Sequence, residues 1–433
     1  MKITLVADSC FLFEYNGIKL LTDPWIGGFI SDGAWLQYPP PIIKAEDIGK
    51  LDYIFISHIH EDHCDLETLK CLDRSAKILV MDRDPNFVKK FLIYHQLNFA
   101  KIIELPIREK YRADNELYFE IIEADPKHTL NHLIDSSLLI HFASKSIYFA
   151  NDNPPYLEID TYLSQYNFDL VLLPATGGSG YPACYTNLTD TEKIEKARSI
   201  RTRYHEEMLG CLRRLNPRLF GCAATGHVLS GIASGLNKFM AWPVSTASPY
   251  QYIKDHRLPD DEFQPILQLP GDTIDLSVEK GVSDENAIKF YEDTIKKRDF
   301  IVQNSTDVSH AFMSIRLNPS ISFPHLISLA HQRLVSHLKR SNVNIPWYYA
   351  IEYSQGYALI DLFPPYELSL GVVEASLPKT QRLIISTDPR LLFLLLTGAF
   401  SWNIADATGF IRYHRCPDQY IFEMYIALNY LRI

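Results

Sequence analysis

The chain has 433 residues, 47% of them hydrophobic and 12% aromatic. That composition excludes a disordered protein, and the length asks for two or three domains. The formal net charge is −10, from 42 basic and 52 acidic side chains, which speaks against a nucleic-acid partner because phosphate neutralisation needs clustered Lys and Arg. Seven cysteines, at 10, 64, 71, 184, 211, 222 and 416, form no C-x-x-C pair. This is neither a disulfide framework nor a thiolate zinc knuckle, and a reducing cytoplasm is the expected compartment.

The opening MKITLVADSCFLFEYNGIKLLTDP lacks the apolar core and small-residue cleavage site of a signal peptide. The apolar run LLFLLLTGAF at 391–400 is half the length of a bilayer span, so no membrane segment is expected. Within the opening, SCFLFEYNGIKLLTDP reads as two strands joined at Asn16–Gly17, the strongest short hairpin signal, and stopped by Asp23–Pro24. Residues 25–44 hold Trp25, Gly27, Gly28, Trp35, Tyr38 and three prolines. So long an aromatic loop is expected to form a lid or pocket wall, with an ordinary packed surface loop as the alternative.

DYIFI at 52–56 reads as a buried strand. It runs into ISHIHEDHCD, where His58, His60 and His63 interleave with Glu61, Asp62 and Asp65. Imidazole suits zinc and iron, and carboxylate completes such sites, so this stretch reads as metal-binding. Side chains two apart in extended chain share a side, which lets His58 and His60 grip one ion together. Glu61 reads as a solvated loop carboxylate, and Cys64 as a packing residue.

Helices follow at DLETLKCL and NFVKKFLIYHQL, with AKILVMD as a strand between them. Strands follow at LYFEIIEADP, SSLLIHFA, SIYFAND and FDLVLLPAT. Strands that alternate with helices and later pair by hairpins indicate a layered α/β domain with mixed sheets. His141, in mid-strand, reads as a packed residue. Residues 190–215 carry apolar side chains every three or four positions and are expected to form one amphipathic helix with a basic solvated face. NPRLFGCAATGH gives a strand ending at His227. The Pro-, Asp- and Gly-rich stretch that follows suggests a first domain over 1–250, a linker over 251–282 and a smaller α+β domain over 283–433. That second domain is expected to hold helices near 284–299 and 323–340, strands in WYYAIEYS, YALIDLF, LSLGVVEAS and RLIIST, a helix from Asp388 and a last helix from Pro417.

The order of these motifs resembles the metallo-β-lactamase-fold superfamily, whose H-x-H-x-D-H pattern His58, His60, Asp62 and His63 match in full. The resemblance implies an αββα sandwich. ADPKHTLNHLIDSSL is similar to the segment that supplies the next histidine in the ascorbate-phosphate lactonase subgroup. There His128 fits best and His132 is the rival. SIYFAND resembles the strand that delivers a bridging aspartate, Asp152, where Asn151 replaces the usual glycine. PRLFGCAATGH resembles the strand that delivers the last histidine, His227.

A second, narrower resemblance is to the CMP-N-acetylneuraminate hydroxylase group. It rests on DSSLLIHFASKSIYFANDN, GGSGYPACY and the tail FSWNIADATGFIRYHRCPDQYIFEMYIALNYL. No Cys-x-His and Cys-x-x-His pairs of a Rieske segment precede the fold here, so an electron donor would be another protein.

Together the resemblances imply two divalent transition-metal ions, zinc for a hydrolase or iron for an oxygenase. His58, His60 and His128 would hold one, Asp62, His63 and His227 the other, and Asp152 would bridge. Asp62 would also serve catalysis. Trp25, Trp35, Tyr38, Tyr181 and Tyr185 are the candidate substrate-binding residues, while Arg412 and Arg415 can face an acidic ligand or form ion pairs. The favoured activity is hydrolysis of an ester, lactone, amide or phosphoester of a small molecule. The alternatives are a non-haem di-iron oxygenase and a non-catalytic metal-binding protein.

Overall fold

The computed structural model describes residues 1–433 apart from 125–134, 154–156, 175–177, 225, 242–246 and 278–283. Strands Lys2–Ala7, Cys10–Tyr15 and Ile18–Thr22 form an antiparallel meander. Asn16 and Gly17 join the last two at φ 50° and 82°, the left-handed geometry that a two-residue hairpin turn needs. Tyr53–Phe55, Lys77–Met81 and Lys101–Leu105 then add in parallel, completing one seven-stranded sheet with Thr273–Asp275 at its other edge. The second seven-stranded sheet runs, from edge to edge, through Gln264–Pro265, Leu219–Ala223, Leu170–Pro174, Lys145–Phe149, Ser136–Phe142, Leu117–Glu123 and Tyr111–Arg112.

Strand alternation sorts the apolar side chains into three layers. Phe11, Phe13 and Phe55 of the first sheet meet Phe119, Ile140 and Phe149 of the second in a common core. The other face of the first sheet, including Leu12, Ile54 and Ile78, packs on Leu69 and Leu92 of helices Leu66–Cys71 and Phe87–Tyr94. The other face of the second, including Leu139, Tyr148 and Val171, packs on Leu209, Leu212 and Ile253 of helices Asp190–Leu215 and Ala247–His256. Sheets apolar on both faces must be covered on both. The result is the αββα sandwich expected from the sequence.

Helix Asp190–Leu215 keeps the expected bounds, closed at its start by a capping box between Thr189 and Glu192. Its cations are structural ties: Lys196 reaches Asp418 at 2.8 Å, Arg201 Nη1 donates to Met240 O at 2.8 Å and Arg213 lies 3.3 Å from Asp261.

Two expectations need correction. Residues 251–282 are not a linker, since Gln264–Pro265 and Thr273–Asp275 each add an edge strand to one of the sheets. A Pro-, Asp- and Gly-rich composition marks the turns around short edge strands as readily as it marks a spacer. The single helix near 284–299 is two, Asp284–Glu292 and Thr294–Ser305. The break falls at Asp293, whose carboxylate accepts the Lys296 N–H as an N-cap.

The C-terminal region is a five-stranded sheet, ordered Leu368–Val372, Gly356–Asp361, Tyr348–Tyr353, Arg382–Ser386 and Arg412–Cys416, with helices Phe323–Arg340, Pro389–Thr397 and Phe422–Leu428. Its apolar core is shared. Leu334, Leu395 and Met424 belong to one buried cluster with Trp25, Ile30, Trp35, Tyr185 and Leu229 of the sandwich. Among the described residues no helix is long and apolar enough to cross a membrane.

Candidate metal centre

Strand Tyr53–Phe55 lies inside its sheet, between Ile18–Thr22 and Lys77–Met81. Both it and Ile18–Thr22 release their chains at the same end, and there Asp23 N donates to Phe55 O at 2.9 Å. This brings the Asp23 side chain beneath the histidine motif. Its carboxylate, fully buried, accepts the Ser57 N–H at 2.7 Å and the Ser57 hydroxyl at 2.9 Å, and meets His63 Nδ1 at 3.0 Å. His58 Nδ1 is likewise engaged, 2.9 Å from Ser57 Oγ and 3.6 Å from Asp135 Oδ1.

With both Nδ1 atoms occupied, both Nε2 atoms face the same point. His63 Nε2 is 3.2 Å from Asp152 Oδ2 and 3.5 Å from Asp62 Oδ2, and His58 Nε2 is 3.9 Å from Asp152 Oδ2. One ligand atom each from His58, His63 and Asp152 falls within a 4.8 Å span. His60 joins them through Nδ1, 2.9 Å from His58 Nε2. Asp62 Oδ1 and His63 Nε2 are buried and make no hydrogen bond among the described residues. Imidazole nitrogens with carboxylate-backed rings, converging on carboxylate oxygens, are a donor set that fits divalent transition metals.

Asp152 comes from the second sheet, just past strand Lys145–Phe149. The residue before it, Asn151, is buried at φ 46°. Asparagine is among the few side chains that tolerate this region, and here it is used: Asn151 Nδ2 donates to Ser136 O while Oδ1 accepts the Asp152 N–H. The Asn in place of the usual glycine therefore preserves the turn and ties it to the neighbouring strand.

The electrostatics follow from burial and crowding. Burial, then the neighbouring His63, His60 and Arg83, drives the His58 pKa well below its ordinary value. Burial also opposes charge on His63, but Asp152, Asp62 and Asp23 outweigh it and raise that pKa well above the usual range. The Asp135 carboxyl is pushed up to about 8 by burial and by Asp152. A dication is a better partner for these carboxylates than a proton on His63, which it displaces on binding.

His227 opens the short strand His227–Leu229, paired with Trp35–Gln37. Its ring stacks on Trp35 at 4.8 Å and 23°, with Trp25 at 6.4 Å. Asp8 approaches His227 Nδ1 at 3.9 Å and accepts the Gly226 N–H at 2.8 Å. Burial opposes charge on Asp62, but His63, and after it His60 and His227, hold its carboxyl well below the usual carboxylate range. His128 and its rival His132 lie outside the described residues.

The five aromatic candidates separate. Trp25 and Trp35 stand beside His227, but both are buried in the core shared with the C-terminal region. Trp25, Ile30, Ala34 and Trp35 tie residues 25–44 into that core, and Glu61 accepts the Ser31 N–H. Tyr38 packs on Phe290 at 5.6 Å and Phe300 at 5.1 Å. Tyr185 is buried and its hydroxyl meets that of Tyr425 at 2.5 Å. Tyr181 donates to Asp418 at 2.9 Å. Both tyrosines flank the Arg415 guanidinium, at 4.7 and 4.8 Å, and Arg415 pairs with Asp418 at 2.7 Å. This is a joint between the two regions, with Arg415 and Tyr185 buried and Asp418 at the surface. His141 is packed as expected, 3.0 Å from Ser146 Oγ and 3.3 Å from Glu120.

Four site residues escaped the sequence reading: Asp8, Asp23, Ser57 and Asn403. Asp23 had a usable signal, an acid at a strand end next to the motif-bearing strand. Ser57 stands beside His58 within the motif stretch itself, whereas Asp8 and Asn403 had no signal, since they come near only through tertiary packing.

Residues 19–205 match the family model described as a beta-lactamase superfamily domain. By sequence the chain is similar to the cytidine monophosphate-N-acetylneuraminic acid hydroxylase of Asterias rubens, 28% identical over 204 residues that cover 45% of this chain and 29% of that protein. It is also similar to a protein of Mycobacterium tuberculosis provisionally named a Rieske 2Fe-2S iron-sulfur protein, 25% identical over 190 residues that cover 43% of this chain and 36% of that protein. The chain thus spans about a third of the length of these relatives. Among solved structures it resembles CmlA, a diiron beta-hydroxylase from Streptomyces venezuelae (TM-score 0.45, 18% identity, 63% of this chain and 53% of that one). It also resembles Igni18, a metallo hydrolase from Ignicoccus hospitalis KIN4/I (TM-score 0.42, 19% identity, 63% and 97%).

Proposed function

The chain carries a metallo-β-lactamase-fold domain, and from that premise we propose that it is a metal-dependent enzyme that hydroxylates a small molecule with electrons from a separate donor protein. The observation that carries metal dependence is the convergence of His58, His63 and Asp152, with Ser57 and Asp23 holding the far nitrogen of each ring. His58, His60 and His128 would hold one ion and Asp62, His63 and His227 the second, with Asp152 available to both. When bound, such a pair supplies Lewis acidity and, if it is iron, oxygen chemistry.

The chain's own residues do the rest. Asp23 fixes the His63 tautomer, so that Nε2 presents its lone pair. Asp62 has one oxygen toward His63 and the other without a hydrogen bond among the described residues, which leaves it open to orient a water or a substrate hydroxyl. Trp25 and Trp35 close the His227 side with apolar surface and keep bulk water from it. Oxidation rather than hydrolysis is favoured by the sequence relatives, whose names are those of a hydroxylase and a Rieske protein. The hydroxylase reading needs an electron donor, and no Rieske ligand pair occurs within these 433 residues.

Hydrolysis is the second reading, favoured by the open Asp62 oxygen, which can equally manage the proton of an attacking water. The two are separated by loading the same preparation with ferrous iron or with zinc. The hydroxylase reading expects reductant-dependent O₂ uptake by the iron form and an inert zinc form. Turnover of an ester, lactone or phosphoester by the zinc form without O₂ would replace it with the hydrolase.

A further inference from the structure

Helix Trp402–Ala407 of the C-terminal region meets the sandwich at three places, one of them the candidate centre itself. Its Asn403 places Nδ2 3.2 Å from His60 Nε2. Its Asp406 accepts the Gly180 N–H at 3.2 Å. The Ala407 carbonyl accepts Trp35 Nε1–H at 3.3 Å, from the ring that stacks on His227. One short helix thus supports two candidate histidines from the outside, and at His60 it does so directly.

We propose that Asn403 is the positioning residue for His60, so that the C-terminal region completes the metal centre. The proposal rests on His60 being a metal ligand. The geometry fixes which nitrogen is used. His60 Nδ1 points to His58 Nε2, into the cluster, while Nε2 points out to Asn403. Coordination through Nδ1 puts the ring proton on Nε2, and that proton needs an acceptor. The Asn403 amide supplies its oxygen by a half-turn of its end group. His58, His60 and His63 then each have an outer partner, Ser57, Asn403 and Asp23, and only that of His60 comes from the C-terminal region. Such outer partners hold ring orientation and ligand basicity.

The test is competitive zinc titration of the full chain, with cobalt(II) absorption as a second readout, in wild type, Asn403→Leu, Asn403→Asp and His60→Ala backgrounds. Asn403→Leu keeps the volume and removes the acceptor. It is expected to weaken one of the zinc sites about tenfold or more and to shift the cobalt bands. Asn403→Asp, which keeps an acceptor oxygen at the same reach, is expected to restore both. In the His60→Ala background Asn403→Leu is expected to change nothing further. Wild-type affinity and spectrum in Asn403→Leu, an equal loss in Asn403→Asp, or the same loss without His60 would each overturn the proposal. Wild-type protein that binds no zinc would instead remove the metal-centre reading beneath it.

Discussion

Asp23 is the residue on which the centre's order depends most. It is fully buried and its carboxylate meets three groups, Ser57 N–H, Ser57 Oγ and His63 Nδ1. Asp23→Ala is expected to lower metal affinity about 10- to 100-fold, because His63 loses its orienting partner. It is also expected to destabilise the fold by about 1–3 kcal/mol for the buried Ser57 N–H left unpaired. Isothermal titration with zinc and urea unfolding check the two effects, and unchanged zinc affinity would contradict the role. A second residue-scale expectation concerns pH. Burial, and then Arg201, hold the His205 pKa down to about 4, against about 6.5 in an unfolded chain. Folded chains then bind fewer protons than unfolded ones between those values, so His205 favours folding fully above pH 6.5 and loses that contribution as pH falls toward 4. Between pH 7 and 5 this is about 2 kcal/mol. His205→Phe, which can still pack on Tyr252, is expected to flatten the acid limb of stability by that amount; parallel urea-unfolding curves across pH would contradict it. The H-x-H-x-D-H spacing announces its candidate ligands because they lie within six residues, Asp23 shows only as an acid at a strand end, and Asp8 and Asn403 come from other elements and leave no local pattern.

Elements were legible where one period dominates. The Asn16–Gly17 hairpin, helix Asp190–Leu215 and the alternating core strands all stand where the pattern puts them. Composition misled where aromatic or turn-rich segments are structural. Gln264–Pro265 and Thr273–Asp275 finish the two sheets, and Trp25, Ile30, Ala34 and Trp35 sit inside the shared core. Trp35 tests that second point. A lid residue replaced by alanine leaves metal content and stability intact and impairs only substrate binding. A core residue stacked on His227 does not. Trp35→Ala is therefore expected to cost about 3–5 kcal/mol in urea unfolding and to lower zinc content measured on the folded protein. Wild-type stability with full zinc content would return the segment to the role of a lid.

At the scale of the whole molecule, two sheets deliver the candidate ligands from opposite layers and a third region packs against them. His58, His60, Asp62 and His63 follow a strand of the first sheet, Asp152 a strand of the second, and Asn403 comes from the C-terminal helix. A centre assembled this way exists only when all three are packed together, so metal binding and folding are coupled. The central claim is that this convergence is a two-metal centre with Asp152 between the ions. The most direct measurement is the number of metal ions per chain, by elemental analysis of protein purified without oxygen and reloaded with ferrous iron, in wild type and Asp152→Asn. The account expects two ions per chain in wild type and a marked loss in the variant with its fold retained by circular dichroism. Fewer than one ion per wild-type chain, or two in both proteins, would contradict it.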